Sequence, residues 1–360
     1  MSAIDIKWNS PQLIFDLPQF NDKALDARQI HPGALGAEYA RMVILPDGKW
    51  LVVYTAFENH GYRNQPDGGS ILQFSISCDE GETWKVVSSL AHPSRDLDNG
   101  QMLLLNNGEI LLCCRSVRWQ ESYQLPVYIS PDSGLTWNFL SIIDERNGAP
   151  GSLGKPDKGM YEPHLDFLQD GRISVMYANE KHVTEPSQYS QIISQKISND
   201  YGKTWGDEIF VAWDEKAPQL RPGMPVWLQM KDGRYIVVFE VVVMTEGKVE
   251  SAAIYYKISE DGICWEPGIG IRIENQDGGP FITEMADGTL VVTSVSGKIS
   301  ASRDTGSTWE EIKSLPFKAH LWPSIYGMEN NQVVLLNSCS RSEGGHNIQI
   351  CVGEVVYNRV

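Results

Sequence analysis

The sequence predicts an all-β chain folded as a six-bladed β-propeller of four-stranded antiparallel blades. Three observations carry that expectation. Four segments repeat the pattern Ser-x-Asp-x-Gly-x-Thr-Trp: Ser77–Trp84, Ser130–Trp137, Ser198–Trp205 and Ser302–Trp309, with a fifth, Ser259–Trp265, one residue shorter and lacking the Thr. Upstream of each copy, two apolar runs meet at an Asp-Gly or Asn-Gly pair, the strongest short-range hairpin signal. Almost no stretch has the periodicity of an amphipathic helix. Repeats of this length with four strands each are the mark of a propeller.

The elements follow in order. The stretch Pro11 to Asp16 is expected to donate a strand that closes the ring. Blade one turns at Asp47-Gly48, between Met42-Val-Ile-Leu45 and Trp50-Leu-Val-Val-Tyr54. Its third strand, Gly69 to Ser77, runs into the first box. Blades two to five turn at Asn107-Gly108, Asp170-Gly171, Asp232-Gly233 and Asp287-Gly288, each followed by its own box. The segment from Trp322 to Val360 repeats the outline, with Asn330-Asn331 at the turn and no box. Residues 1–360 thus read as one domain. Within each box, the Asp accepts backbone N–H groups, the Gly supplies positive φ and the Trp packs beneath the turn. These residues build the fold and are not expected to be catalytic.

Composition narrows the function. An apolar content of 42% with 10% aromatic residues supports a large core, and the net charge of −16 argues against a nucleic-acid partner. No run of eighteen apolar residues suggests a membrane span. The first sixteen residues lack a signal-peptide layout, which fits a cytoplasmic chain or the mature form of a secreted or periplasmic one. The six cysteines lack metal or disulfide spacing and read as buried thiols. A monomer without cofactor or metal is expected.

Strand order then places candidate residues. The box turns and the Asp-Gly turns share one face, so the opposite face collects the starts of first strands and the ends of second strands around the central depression. That ring reads Glu38, Arg41 and Glu58, then Asp98, Asn99, Arg115 and Arg118, then Tyr161, Glu162, His164, Glu180 and His182. It continues with Arg221, Glu240, Asp277, His320, Trp322, Arg341 and His346, and a loop of blade one adds Asp67. Taken singly, Glu162 also fits a blade-junction role and Glu240 a solvated strand end; His164 and His182 read as satisfied or solvated side chains. Together, this many carboxylates, arginines and aromatics point to a polar sugar site.

At the boxes the chain resembles the sialidase superfamily, over nearly its whole length. Sialidases grip a carboxylate with three arginines and attack with a tyrosine activated by a glutamate. Arg41 stands where the first arginine stands and Glu162 resembles the glutamate, whereas Trp322, in His320-Leu-Trp-Pro-Ser-Ile325, occupies the tyrosine position and is no nucleophile. Two segments are more similar to glycoside hydrolase family 93, exo-acting arabinanases on the same propeller. They are Tyr161-Glu-Pro before Asp170-Gly171, and Arg221-Pro-Gly-Met-Pro225 before Val237-Val-Phe-Glu240. That resemblance implies a retaining hydrolase of linear α-1,5-arabinan with Glu162 and Glu240 as its two carboxylates. Their places around the ring make Arg41, Asp67, Asn99, Tyr161, His164, Glu180, Arg221, His320 and Trp322 the expected substrate contacts. The sequence leaves open which glutamate attacks. Another glycosidase of the superfamily and a non-catalytic glycan-binding propeller remain the alternatives.

Overall fold

The computed structural model describes residues 3–16, 35–57, 69–153, 159–183, 188–245, 248–317, 321–341 and 345–358. Glu58, Asp67 and His320 lie outside the described residues. Strands β1 (Ala3–Trp8) and β2 (Gln12–Phe15) open the chain. Blade one holds β3–β6 (Ala37–Ile44, Trp50–Phe57, Ser70–Ser77, Lys85–Leu90), and blade two β7–β10 (Asp96–Leu104, Ile110–Arg118, Ser122–Ser130, Asn138–Asn147). Blade three holds β11–β14 (Met160–Phe167, Ile173–Asn179, Ile192–Ser198, Ile209–Ala212), and blade four β15–β18 (Arg221–Gln229, Tyr235–Thr245, Lys248–Ser259, Ile271–Asp277). Blade five holds β19–β22 (Phe281–Glu284, Leu290–Thr293, Lys298–Ser302, Glu310–Ser314), and blade six β23–β25 (Leu321–Gly327, Gln332–Ser340, His346–Asn358). Every sheet is antiparallel, five of them in chain order and the sixth joined by β1 and β2, and the only helix among the described residues is a single 3₁₀ turn at Lys181–Val183. The six-bladed propeller is therefore the fold.

Closure takes more of the N-terminus than Pro11 to Asp16. β2 pairs with the first part of β25, and β1 pairs with its second part, from Ala3 opposite Asn358 to Trp8 opposite Gly353. The outer edge of the last blade is thus built from the first residues of the chain.

Second strands are buried along their whole length in blades one and three, because each sheet is covered on both faces by its neighbours. Outer strands such as β6 are largely exposed. The core accordingly lies between blades: Trp50, Val52 and Tyr54 pack with Leu336 and Ile350, and Leu51, Val53 and Phe74 with Leu112.

The turns behave as the sequence predicts. Gly48, Gly108, Gly171, Gly233 and Gly288 all have φ between 82° and 94°, and Asn331 takes the same role in blade six at 62°. In the first box, Asp79 Oδ1 accepts the Thr83 N–H at 2.9 Å and Ser77 Oγ accepts the Gly81 N–H at 2.9 Å; the other full boxes repeat this. Trp84 takes the expected place beneath its own turn, its Nε1 donating to the Gly81 carbonyl at 3.0 Å, and two later tryptophans do more. They reach across to the preceding blade: Trp137 stacks on Phe74 at 4.5 Å, and Trp265 Nε1 donates to Gln195 Oε1 at 3.0 Å. Box position also corrects the reading of the cysteines. Cys113, Cys114 and Cys351 are buried, but Cys78 and Cys264 are exposed because they occupy box turns, and Cys339 is intermediate.

Candidate active site

One irregularity recurs on the first strand of the blades, at the face opposite the box turns. The register slips between Glu38 and Arg41, Asp98 and Gln101, Tyr161 and His164, Gly223 and Val226, and Leu321 and Ser324. Each slip contains one residue in the left-handed region: Tyr39, Asn99, Glu162, Met224 and Trp322, with φ of 59°, 52°, 55°, 50° and 46°. Blade five has Gly279 at the corresponding place, with φ of 50°. Five of these six residues are not glycine, so the surrounding structure holds them in a costly conformation, as bulges beside functional sites often do.

The bulges liberate backbone donors, and the two glutamates take them. Glu162 Oε2 accepts the Met224 N–H from blade four at 2.9 Å. Glu240 stands in the middle of the second strand of blade four, not at the solvated strand end the sequence suggests, and accepts the Gly279 N–H from blade five at 2.8 Å. Both carboxylates face Gly223: a Cβ built there would stand 3.6 Å from Glu162 Oε2 and 3.6 Å from Glu240 Oε1. Those two oxygens are thus no further apart than twice that distance, below the upper limit of about 9.5 Å for paired glycosidase carboxylates. Only a glycine leaves the space between them open.

Their electrostatics differ. Burial and the neighbouring Glu240 charge push Glu162 up to about 7, against the opposing pull of the Met224 N–H and Arg115. Burial also raises Glu240, but the Gly279 N–H and Arg221 favour its charged form. Two half-buried carboxylates this close do not both ionise readily, and the one with the higher pKa holds the proton.

Glu162 and Glu240 share a cleft of about 490 Å³ lined by Arg115, Tyr161, Gln191, Arg221, Val242, Met244 and Val249. Glu180 stands behind it, fully buried: it pairs with Arg221 and accepts the Tyr161 hydroxyl at 3.1 Å, so it orients two lining residues. Arg221 also donates to Gln191 Oε1 at 2.9 Å, and Arg115 pairs with Asp98. Arg41 lies deeper, 1% exposed, with its guanidinium 3.8 Å from the centre of the Tyr39 ring. His164 meets Phe281 edge-on at 6.1 Å, and burial pushes it down to about 3, so it is neutral. Asn99 and Trp322 share the bulge ring with Glu162. His182 is drawn aside by Glu208 at 2.9 Å.

Tyr161, Glu162, Arg221 and Glu240 are therefore brought together, while Arg41, His164 and Glu180 sit behind the surface. Sequence reasoning missed Gln191, Gly223 and the apolar wall. It also missed Tyr39, which neighbours Glu162 and whose hydroxyl burial pushes up to about 12. Period-two alternation from Glu240 carried the signal for Val242 and Met244. No group of three or more His, Cys, Asp or Glu among the described residues could hold a metal ion.

No family model and no curated protein matches the chain. Solved structures do. The GH93 α-L-arabinofuranosidase of Fusarium graminearum, in complex with arabinobiose, superposes with a TM-score of 0.76 at 21% identity, over 96% of this chain and 97% of that one. The Penicillium chrysogenum α-L-arabinanase, also complexed with arabinobiose, gives 0.76 at 22% identity over 96% and 98%. The NanB sialidase of Streptococcus pneumoniae gives 0.64 at 12% identity, over 96% of this chain and 71% of that one. The chain has a sialidase-like six-bladed propeller, and in fold it resembles the family 93 enzymes.

Proposed function

We propose that the protein is a glycoside hydrolase that cleaves linear α-1,5-arabinan from its end, with Glu162 as general acid and Glu240 as nucleophile. The observation that carries this reading is the pair of carboxylates across Gly223, held in environments that separate their proton affinities. Acetal cleavage needs one protonated carboxyl for the leaving oxygen and one carboxylate at the anomeric centre. Glu162 is suited to carry the proton. Glu240, next to Arg221 and bonded to the Gly279 N–H, is suited to carry the charge and so to form the glycosyl–enzyme bond that water later breaks. The arabinobiose held by two enzymes of the same fold supports the choice of sugar. Arginine pairing supports a neutral substrate over a sialoside: Arg115 is engaged by Asp98, Arg221 by Glu180, and Arg41 is shielded by Tyr39.

The test compares Glu162→Gln, Glu240→Gln and wild type on arabino-oligosaccharides, with melting temperature as the control for folding. Each substitution should lower kcat at least about 10²-fold, and azide should rescue only the Glu240 variant. Wild-type rates in either folded variant remove that residue from the mechanism. Failure of the wild type to cleave any arabino-oligosaccharide overturns the choice of sugar.

A further inference from the structure

Three polar side-chain atoms surround one small space in the cleft. The nearest atoms to a Cβ built on Gly223 are Gln191 Nε2 at 2.9 Å, Glu162 Oε2 at 3.6 Å and Glu240 Oε1 at 3.6 Å. Gln191 differs from the other two in being an uncharged donor. It stands just before the third strand of blade three and is 7% exposed. Both ends of its amide are engaged by blade four. Oε1 accepts from Arg221 Nη2 at 2.9 Å, and Nε2 donates to the Pro222 carbonyl at 2.7 Å. Arg221 offers only donors and the carbonyl only an acceptor, so a reversed amide would lose both bonds. Arg221 is itself held by the fully buried Glu180. The amide is thereby locked with its nitrogen beside the two carboxylates. That nitrogen carries two hydrogens. One goes to Pro222, and the other has no acceptor among the described residues.

We propose that Gln191 gives this second N–H to the 2-hydroxyl of the sugar ring whose C1 lies between the two glutamates, and so selects for that hydroxyl. The inference rests on the arabinoside reading for its sugar and on the locked amide for its donor. A glycosidase of this kind holds C1 between its acid and its nucleophile. C2 is the first carbon beyond C1 to carry a hydroxyl, so a donor at the edge of the same space meets that group first. Hydrogen bonds to a 2-hydroxyl strengthen as the ring gains positive charge in the transition state. A neutral amide donates there without setting a cation beside that charge.

The test uses 4-nitrophenyl α-1,5-L-arabinobioside and its counterpart without the 2-hydroxyl on the ring that bears the nitrophenyl group. Nitrophenol release by the full chain gives kcat/KM on each, and the readout is the ratio of the two. Comparing that ratio between proteins cancels the different intrinsic reactivity of the two glycosides. Gln191→Met keeps the length of the side chain and removes the donor. Gln191→Asn keeps the amide and draws it back by one methylene; it carries the test if the Met variant melts early. In either folded variant the preference for the hydroxylated compound should fall at least about fivefold, as loss of one hydrogen bond implies. A side chain that only held Arg221 and Pro222 in place would slow both compounds alike. A smaller change of ratio in both variants therefore overturns the contact and leaves the arabinoside reading standing. If wild type releases no nitrophenol from the hydroxylated compound, both fall.

Discussion

Glu162 and Glu240 differ in what surrounds them more than in where they stand. Both are half-buried and both accept a backbone N–H, but the Glu240 charge helps to raise Glu162, whereas the Gly279 N–H and Arg221 favour the charged form of Glu240. With Glu162 raised to about 7 and required in its protonated form, kcat/KM should fall as pH rises through that value. On the acid side it should fall again as Glu240 gains a proton. A pH profile of kcat/KM on an arabino-oligosaccharide checks this, since that parameter reports the free enzyme's groups. The residual activity of Glu162→Gln should lose the alkaline limb and keep the acid one; an alkaline limb that persists would assign it to another group. At this scale the sequence was only partly legible. Tyr161-Glu-Pro and Val237-Val-Phe-Glu240 marked both glutamates, because a carboxylate interrupting an apolar run is visible in a pattern. Glu180 and Arg41 were also visible, yet their burial depends on Arg221 and Tyr39, which come from elsewhere in the chain or from an unforeseen backbone twist.

Strands and turns were far more legible. Asp-Gly and Asn-Gly pairs announce a positive φ through chemistry that only a few residues tolerate, and the repeated boxes give their own hydrogen bonds. The bulges were silent for the opposite reason. Tyr39, Asn99, Glu162, Met224 and Trp322 share a backbone conformation and no side-chain property. The boxes also acquire a role that local reading underestimates, since their tryptophans join one blade to the previous one. Trp265 is 8% exposed and bonded to Gln195 of blade three. Trp265→Ala should therefore destabilise the protein by about 3–5 kcal/mol, as loss of a large buried aromatic does. Urea denaturation measures it, and a cost below about 1 kcal/mol would show that the box folds its own turn and contributes little between blades.

For the whole molecule, the ring closes where its two ends meet. Ile6 is 1% exposed within the core shared by blades four, five and six, and Asp5 accepts from Lys313 of blade five at 2.7 Å. Ile6→Ala should cost about 2–5 kcal/mol, with a lower urea midpoint and a cooperative transition, because opening the last blade exposes its neighbours as well. An unchanged midpoint would mean that β25 holds the blade without its N-terminal partner. The bulge repeated in five blades has a different consequence. The donors that hold Glu162 and Glu240 belong to the main chain, so they are present whatever side chains the rim carries. In blades one and two the equivalent donors meet other acceptors, the Tyr39 N–H with Ser338 Oγ at 3.0 Å and the Asn99 N–H with Asp98 Oδ1 at 2.6 Å. On such a ring one main-chain position meets a hydroxyl in one blade and a carboxylate in another, so the rim's chemistry turns on which side chain reaches each donor.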